Sequence, residues 1–265
     1  AVPGSDEFSL FVTEVVQEMT VKAGQKCTAI RRALVPTPQL DAVAEALASA
    51  LAGVRVGDPA DADTDMGALV GVTQREEVRG AVMAMRASAD VVVDHCEFHG
   101  VNPKVGAFLA PTLLRASDPN DDAVHTTEAF GPVCTLLGYD GPDDAVRLTA
   151  LGSGSLVASV VTPDANEAAA LTLGIAAHHG RVHVLDAIAS ANSTGHGSPL
   201  PTLVHGGPGR AGGGEEMGGL RGIRHHMQTT AVQGSPDMLT AVAGQWMPGA
   251  IRHVGQGHPF RLHFD

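Results

Sequence analysis

Residues 6–35 read DEFSLFVTEVVQEMTVKAGQKCTAIRRALV, which contains a helix, a loop and a strand in succession. Phe8, Phe11, Val12, Val15, Val16 and Met19 recur at spacings of three and four, the mark of one helical face over residues 6–23. Ser5, Asp6 and Glu7 stand where acceptors and negative charge satisfy the first N–H groups of a helix. Gly24 opens a loop. The β-branched and apolar run 28–35 then reads as a strand, closed by Pro36 and Pro38.

The same alternation extends outward. Residues 41–51 are Ala/Leu-rich and helical, ended by Gly53, and an acidic loop with Asp58-Pro59 follows over 57–67. A helix is expected over 73–85, a short strand over 91–93, and extended segments over 108–114 and 132–137. Residues 143–148 read as a helix, 156–161 as a strand, 165–173 as a helix and 181–185 as a strand. Strands separated by helices need crossovers, so the fold class is α/β, with an open, mainly parallel sheet flanked by helices. After Asp186 the chain becomes dense in Gly, Pro and His. The varied composition of 193–222 favours ordered, irregular loops over a repetitive linker. Residues 228–233 look extended, and the remainder, with Trp246, reads as a tail.

Composition narrows the function classes. The chain has 265 residues, 44% of them hydrophobic, and 29 acidic against 17 basic side chains give a net charge of −12. That charge repels polyanions, so no nucleic-acid partner is expected. No apolar run approaches the ~20 residues needed to span a bilayer, and no membrane association is expected. The opening AVPGSDEF lacks the basic and apolar regions of a signal peptide. Three cysteines, an odd number at wide spacing, argue against a disulfide framework and for a reducing, cytoplasmic setting.

Cys27 lies just beyond a helix, in a short loop after Gly24, with Lys22 and Lys26 close before it. Neighbouring cations favour thiolate, the reactive form, whereas a buried cysteine would be inert. Paired with His196 or His205, such a thiol could also serve a cysteine hydrolase or acyltransferase. His95-Cys96-Glu97-Phe98-His99 supplies three metal ligands at most where a structural zinc site wants four, so no metal is expected. The glycine run 206–214 lacks the Lys-Ser/Thr and the strand–loop–helix frame of a phosphate-binding loop. His178-His179 and His225-His226 are expected at element ends or surfaces.

Gly24-Gln25-Lys26-Cys27-Thr28 resembles the nucleophile motif of aldehyde dehydrogenases, and Glu128-Ala129-Phe130-Gly131-Pro132 resembles that family's second motif about a hundred residues later. Val56-Gly57-Asp58-Pro59 and Met66-Gly67-Ala68-Leu69-Val70 fit the same family between them. The resemblance implies that Cys27 attacks an aldehyde carbon, that Glu128 holds the nicotinamide-ribose hydroxyls, and that Phe130 packs beside the ring. The implied cofactor is NADP or NAD. The stretches MTVKAGQKCTAIRRALVP, STGHGSPLP and VHGGPGRAGGGEE are similar to the dehydrogenase parts of bifunctional enzymes of bacterial phenylacetate degradation. This similarity implies a CoA-thioester semialdehyde as substrate; the family resemblance sets 206–214 at the substrate entrance, which makes Arg210 a candidate for the CoA phosphates. Gln228-Thr229-Thr230-Ala231-Val232 resembles the family's intersubunit strand, which implies a homo-oligomer. It also divides the chain into a thiol-bearing catalytic domain over 1–222 and an oligomerisation strand and tail over 223–265. A non-catalytic assembly module is the third reading.

Three departures qualify the resemblance. The family's general-base glutamate and its coenzyme-binding βαβ units belong upstream of residue 1, and a hydratase-like domain would follow His258-Pro259-Phe260-Arg261. The expectation is therefore a fragment, inactive by itself. Glu14 and Glu18 precede Cys27 but are expected on the solvated helix face rather than as a base. Asp186 replaces an Asn common in the family and is given no role.

Overall fold

The computed structural model describes residues 2–198, 206–212 and 226–251. They form two compact units, one of residues 11–144 and one of residues 1–10 with 145–265. The boundary expected at 222/223, and with it His205, His225 and Gly213-Gly214, lies outside the described residues.

Helix α1 (Asp6–Thr20) straddles the division after residue 10 and leads, in the unit of residues 11–144, to β1 (Arg32–Pro36), α2 (Leu40–Ala52) and β2 (Val56–Gly57). Then come α3 (Val72–Met85), β3 (Ala89–Val93), β4 (Phe98–His99), β5 (Thr112–Ala116), α4 (Asp122–Thr126) and β6 (Val133–Tyr139). A four-stranded sheet has the order β1-β6-β5-β3, and β2 pairs with β4 apart from it. The first three strands of the larger sheet are parallel, while β3 runs antiparallel to β5 at the edge. Central β6 is buried from Val133 to Leu137, as a strand flanked on both edges and both faces must be. Leu40, Val43, Ala44, Leu47 and Leu51 line the buried stripe of α2, which packs on β1, β3 and β6. Val78 and Met85 of α3 join Val133 and Leu137 in a core that also holds Met66 and Leu69.

This topology positions the two motifs. Strands β1 and β6 are parallel neighbours, with Arg32 opposite Thr135, so the loops that enter them leave the same end of the sheet side by side. About a hundred residues of sequence collapse to one strand spacing.

The second unit follows from α5 (Pro142–Ala150), which straddles the division, through β7 (Ser155–Val161), α6 (Ala165–Ile175), β8 (His179–Leu185) and α7 (Ala187–Ser190). Beyond the glycine-rich segment come β9 (Ala231–Gln233) and α8 (Pro236–Ala243). The sheet β7-β8-β9 is wholly parallel, and β8 is buried along its whole length. Asp164 starts α6 by accepting from the N–H groups of Asn166 and Glu167. At Gly180 a Cβ would fall 1.5 Å from the carbonyl oxygen of Gly206, so the glycine lets residues 206–212 cross β8 at backbone distance.

Several sequence expectations shift. Helix α1 stops at Thr20 rather than residue 23, and β1 begins at Arg32 rather than residue 28. The intervening residues are turns that build the site. The supposed tail contains α8, which carries ordinary start signals: Ser235 accepts from the Met238 N–H and Pro236 occupies the first turn. Of the segment read as extended over 228–233, residues 231–233 form the strand that adds to β8, with Arg181 opposite Ala231.

Candidate active site

After α1 the backbone reverses hand. Lys22, Ala23 and Gly24 have φ of 54°, 51° and 68°, three consecutive left-handed residues of which only the last is a glycine. Two non-glycine residues there carry strain of about 1–2 kcal/mol each, which the surrounding contacts must offset. The reversal is held by Gln25, whose backbone N–H and side-chain amide both donate to the Lys22 carbonyl, at 3.1 and 2.9 Å. The side-chain carbonyl oxygen of Gln25 in turn accepts from the Val70 N–H at 2.9 Å. The turn presents Cys27 at the surface, while Thr28 and Ala29 behind it are buried.

Against this turn lies the second motif. Gly24 meets Gly131 backbone to backbone, and Phe130 is fixed through its carbonyl, which accepts from the Gln74 side chain of α3 at 2.9 Å. Glu128 is exposed, Ala129 buried and Phe130 half-buried. The structure therefore brings Cys27, Glu128 and Phe130 into one unit, at the entries to adjacent strands.

One residue that the sequence motifs do not single out ties these parts together. The Arg31 guanidinium donates through Nη1 to the Gly131 carbonyl at 2.7 Å, and through Nη2 to the carbonyls of Gly24 at 2.7 Å and Lys26 at 3.1 Å. It also stacks 5.3 Å above the centre of the Phe130 ring. Burial pulls its pKa below the ordinary arginine value. The charges of Glu128, Cys134, Glu18 and Cys27 oppose that shift, and an arginine keeps its proton in any case. A guanidinium four residues beyond a loop thiol was the available signal.

The same geometry corrects the expectation for Glu18. Glu18 is not on a solvated face but 2% exposed, one position before buried Met19, and its carboxylate pairs with the Lys26 ammonium at 2.7 Å. The left-handed turn folds Lys26 back over α1, so its charge is committed to Glu18. Arg31 lies within electrostatic reach of both Cys27 and Glu128.

The other thiols are poor nucleophiles. Burial pushes the Cys134 thiol up to about 12 and raises that of half-buried Cys96. His95 is an exposed side chain 3.6 Å from Asp94. Among the described residues, no three His, Cys, Asp or Glu side chains are grouped to hold a metal. No helix among the described residues is long and apolar enough to cross a membrane.

The second unit holds a buried polar network instead. His196 shares a hydrogen bond with the Ser159 hydroxyl at 2.8 Å, and its carbonyl accepts from Arg181. Arg181 also donates to the Gln233 side chain at 2.6 Å. His196 is thus engaged within its own unit, whereas Cys27 belongs to the other. Asp186 acts structurally, accepting from the Ala189 N–H at 2.6 Å to start α7 and from the Ser235 hydroxyl at 3.0 Å. The Arg210 N–H donates to the Ser153 carbonyl at 3.0 Å, and its side chain is exposed.

His183, in the same network, bonds the Ser193 hydroxyl through Nε2 at 3.1 Å and leaves Nδ1 buried without a partner. Burial, helped by the charge of Arg181, pushes its pKa down to about 4. An unfolded histidine takes a proton near 6.5, so between about pH 6.5 and 4 the unfolded chain binds more protons and stability rises with pH. The contribution is complete above the unfolded value and disappears as pH falls toward 4. It amounts to something on the order of 3 kcal/mol. Urea midpoints at pH 7 and 4.5 should diverge less in His183→Asn than in the parent. Parallel losses in both proteins would assign the acid sensitivity elsewhere.

Comparison with known proteins identifies the family of the chain. A family model described as the aldehyde dehydrogenase family matches residues 4–232. The chain is 49% identical over 201 residues to Protein MaoC of Klebsiella aerogenes, covering 76% of this chain and 59% of that protein. It is 46% identical over 213 residues to a 3,4-dehydroadipyl-CoA semialdehyde dehydrogenase of Aromatoleum evansii, covering 78% of this chain and 41% of that one. The chain thus spans about three fifths of the first relative's length and two fifths of the second's. A mutant of aldehyde dehydrogenase C from Pseudomonas syringae, solved with NAD+ and octanal, superposes with a TM-score of 0.65 at 25% identity, over 80% of this chain and 41% of that one. Betaine aldehyde dehydrogenase from Staphylococcus aureus with NAD+ shares the fold, with a TM-score of 0.68 at 24% identity, over 79% and 39% of the two chains.

Proposed function

The chain belongs to the aldehyde dehydrogenase family, and from that premise we propose that it supplies the nucleophile and the nicotinamide-side contacts for oxidation of an aldehyde to an acid. The observation that carries the reading is the junction of the Cys27 turn with the Glu128–Phe130 loop, through Gly24 against Gly131 and through Arg31. In this reading the Cys27 thiolate attacks the aldehyde carbon and forms a C–S bond, and the carbonyl oxygen becomes an oxyanion. The backbone N–H of Cys27 donates to that oxygen, where a fixed donor stabilises developing charge. The coenzyme, when bound, accepts the hydride. Glu128 holds its ribose hydroxyls, and the face of Phe130 supports its ring. Cys27 is then left in a thioester, which water hydrolyses to the acid and the restored thiol.

The substrate we assign is a semialdehyde carried as a CoA thioester, from aromatic breakdown of the phenylacetate type, oxidised in the cytoplasm. The name of the Aromatoleum relative supports the CoA-semialdehyde class. NADP is taken as the coenzyme, with NAD the alternative that the solved relatives bind. Arg210 is assigned to the CoA phosphates. Residues 1–222 serve as the thiol-bearing domain, and residues 223–265 as the strand and tail through which copies of the chain associate.

The test is direct. A polypeptide of the relatives' length carrying this chain is given NADP or NAD with a CoA-linked semialdehyde or its free acid analogue, and reduced coenzyme is followed at 340 nm. The proposal expects turnover with the CoA-linked substrate, at least tenfold faster than with the free analogue, and faster with NADP. Equal rates for the two aldehydes would overturn the substrate assignment, and no reduction with any aldehyde would overturn the reaction.

A further inference from the structure

We infer that Arg31 is a positioning residue that locks the thiol turn and the Glu128–Phe130 loop into one fixed register. The inference rests on the function proposed above. The sheet alone does not supply this lock. The last bond of the β1–β6 ladder before the loops is the Thr135 N–H to the Arg31 carbonyl, at 2.9 Å; upstream of it β1 has left the sheet, and Val133 and Cys134 of β6 pair with β5 instead. Beyond that point Gly24 and Gly131 touch through bare backbone, a contact without direction.

The Arg31 guanidinium adds the direction. Its two terminal nitrogens reach carbonyls in both loops at once, Gly24 and Lys26 on one side and Gly131 on the other. Its Cζ lies over the Phe130 ring, 5.3 Å from the centre, so the ring is held as well as the backbone. A planar, permanently charged fork can satisfy three carbonyls and a ring together, whereas a lysine ammonium is a point donor on a flexible stem. The groups facing it are Glu128 from the second loop, Glu18 from α1, Cys134 from β6 and Cys27 from the turn. The left-handed stretch at Lys22–Gly24 also needs such an anchor, because strained turns persist only where their surroundings hold them. Displacing a thiol by about 1 Å relative to the ring-bearing loop is enough to cost on the order of 100-fold in rate.

The experiment compares Arg31→Met and Arg31→Lys, with Arg115→Met as control; Arg115 pairs with Asp41 in a partly exposed ion pair. Steady-state kinetics are measured in a polypeptide of the relatives' length, and amide hydrogen exchange in the 265-residue chain. Arg31→Met is expected to lower kcat at least tenfold and to raise KM for the coenzyme at least threefold, since both loops shift. Simple loss of folded enzyme would reduce kcat and leave KM alone. Exchange over residues 22–30 and 128–132 should quicken together in both Arg31 variants and in neither loop of the control. Arg31→Lys keeps the charge but recovers less than a third of the lost kcat. Full recovery by lysine, or quickening confined to one loop, overturns the inference. Absence of aldehyde oxidation in the parent would instead remove the proposed function, and the exchange experiment would still decide whether Arg31 couples the loops.

Discussion

Cys27→Ala is expected to reduce aldehyde oxidation by about 10,000-fold or more while leaving the fold intact, because no covalent route survives without the sulfur. The stability side follows from position. Cys27 is exposed on a turn, so removing one sulfur there should change unfolding free energy by less than about 0.5 kcal/mol. The reactivity side follows from the other two thiols. Cys134 sits fully buried in β6 with its pKa pushed up to about 12, and Cys96 is half-buried with its pKa raised, so neither can substitute as thiolate near neutral pH. Limited iodoacetamide at pH 8 should therefore label one site in the parent chain and almost none in Cys27→Ala, as read by intact mass. Cys134→Ala should behave in the opposite way, losing stability to a small cavity and keeping its labelling and its activity. Substantial oxidation by Cys27→Ala would remove the thiol from the mechanism altogether.

Sequence pattern and structure part company at identifiable places. The α/β class is legible because periodicity reports burial, and burial is what separates α2, with Leu40, Val43, Leu47 and Leu51 inward, from the fully buried β6 and β8. Cys27, Glu128 and Phe130 can be named because short motifs carry them, and β1 and β6 then bring their loops together. What stays hidden depends on hand and on long-range contact. Nothing in Met19-Thr20-Val21-Lys22 announces that the helix will stop at Thr20 and the backbone reverse hand at Lys22, since Lys22 and Ala23 are ordinary helix formers. That reversal redirects Lys26 toward α1, so a carboxylate that local pattern places in solvent, Glu18, becomes one half of a buried ion pair. Arg31 escapes notice for a related reason: its three acceptors are main-chain carbonyls, one of them a hundred positions away, and carbonyls leave no signature in sequence. Helix α8 is a different kind of miss, because Ser235-Pro236-Asp237 is a readable start signal.

Gly24→Ala is expected to destabilise the first unit by about 3 kcal/mol or more and to abolish coupling between its two motifs. Two costs add. Gly24 has φ of +68°, a left-handed conformation that costs an alanine about 1–2 kcal/mol, and two left-handed non-glycine residues already precede it. The larger cost is steric. A Cβ would lie 2.2 Å from the Gly131 carbonyl oxygen, 2.5 Å from its carbon and 2.8 Å from the Pro132 nitrogen, and all three atoms are backbone. No side chain can swing aside to relieve that overlap. The two loops must instead separate by about 1 Å, which breaks the close packing that interior atoms require. The same Gly131 carbonyl accepts from Arg31, so the shift also pulls the guanidinium away from Gly24 and Lys26. Activity should consequently fall even at temperatures where the variant remains folded. Gly80→Ala is the informative contrast, because it lies inside α3 with nothing within 4 Å of its Cβ position and should stabilise by about 0.5–1 kcal/mol. Thermal unfolding of the two variants beside the parent separates the ideas. If Gly24→Ala melts with the parent and keeps its coenzyme KM, the contact between the two loops is not what holds the site together.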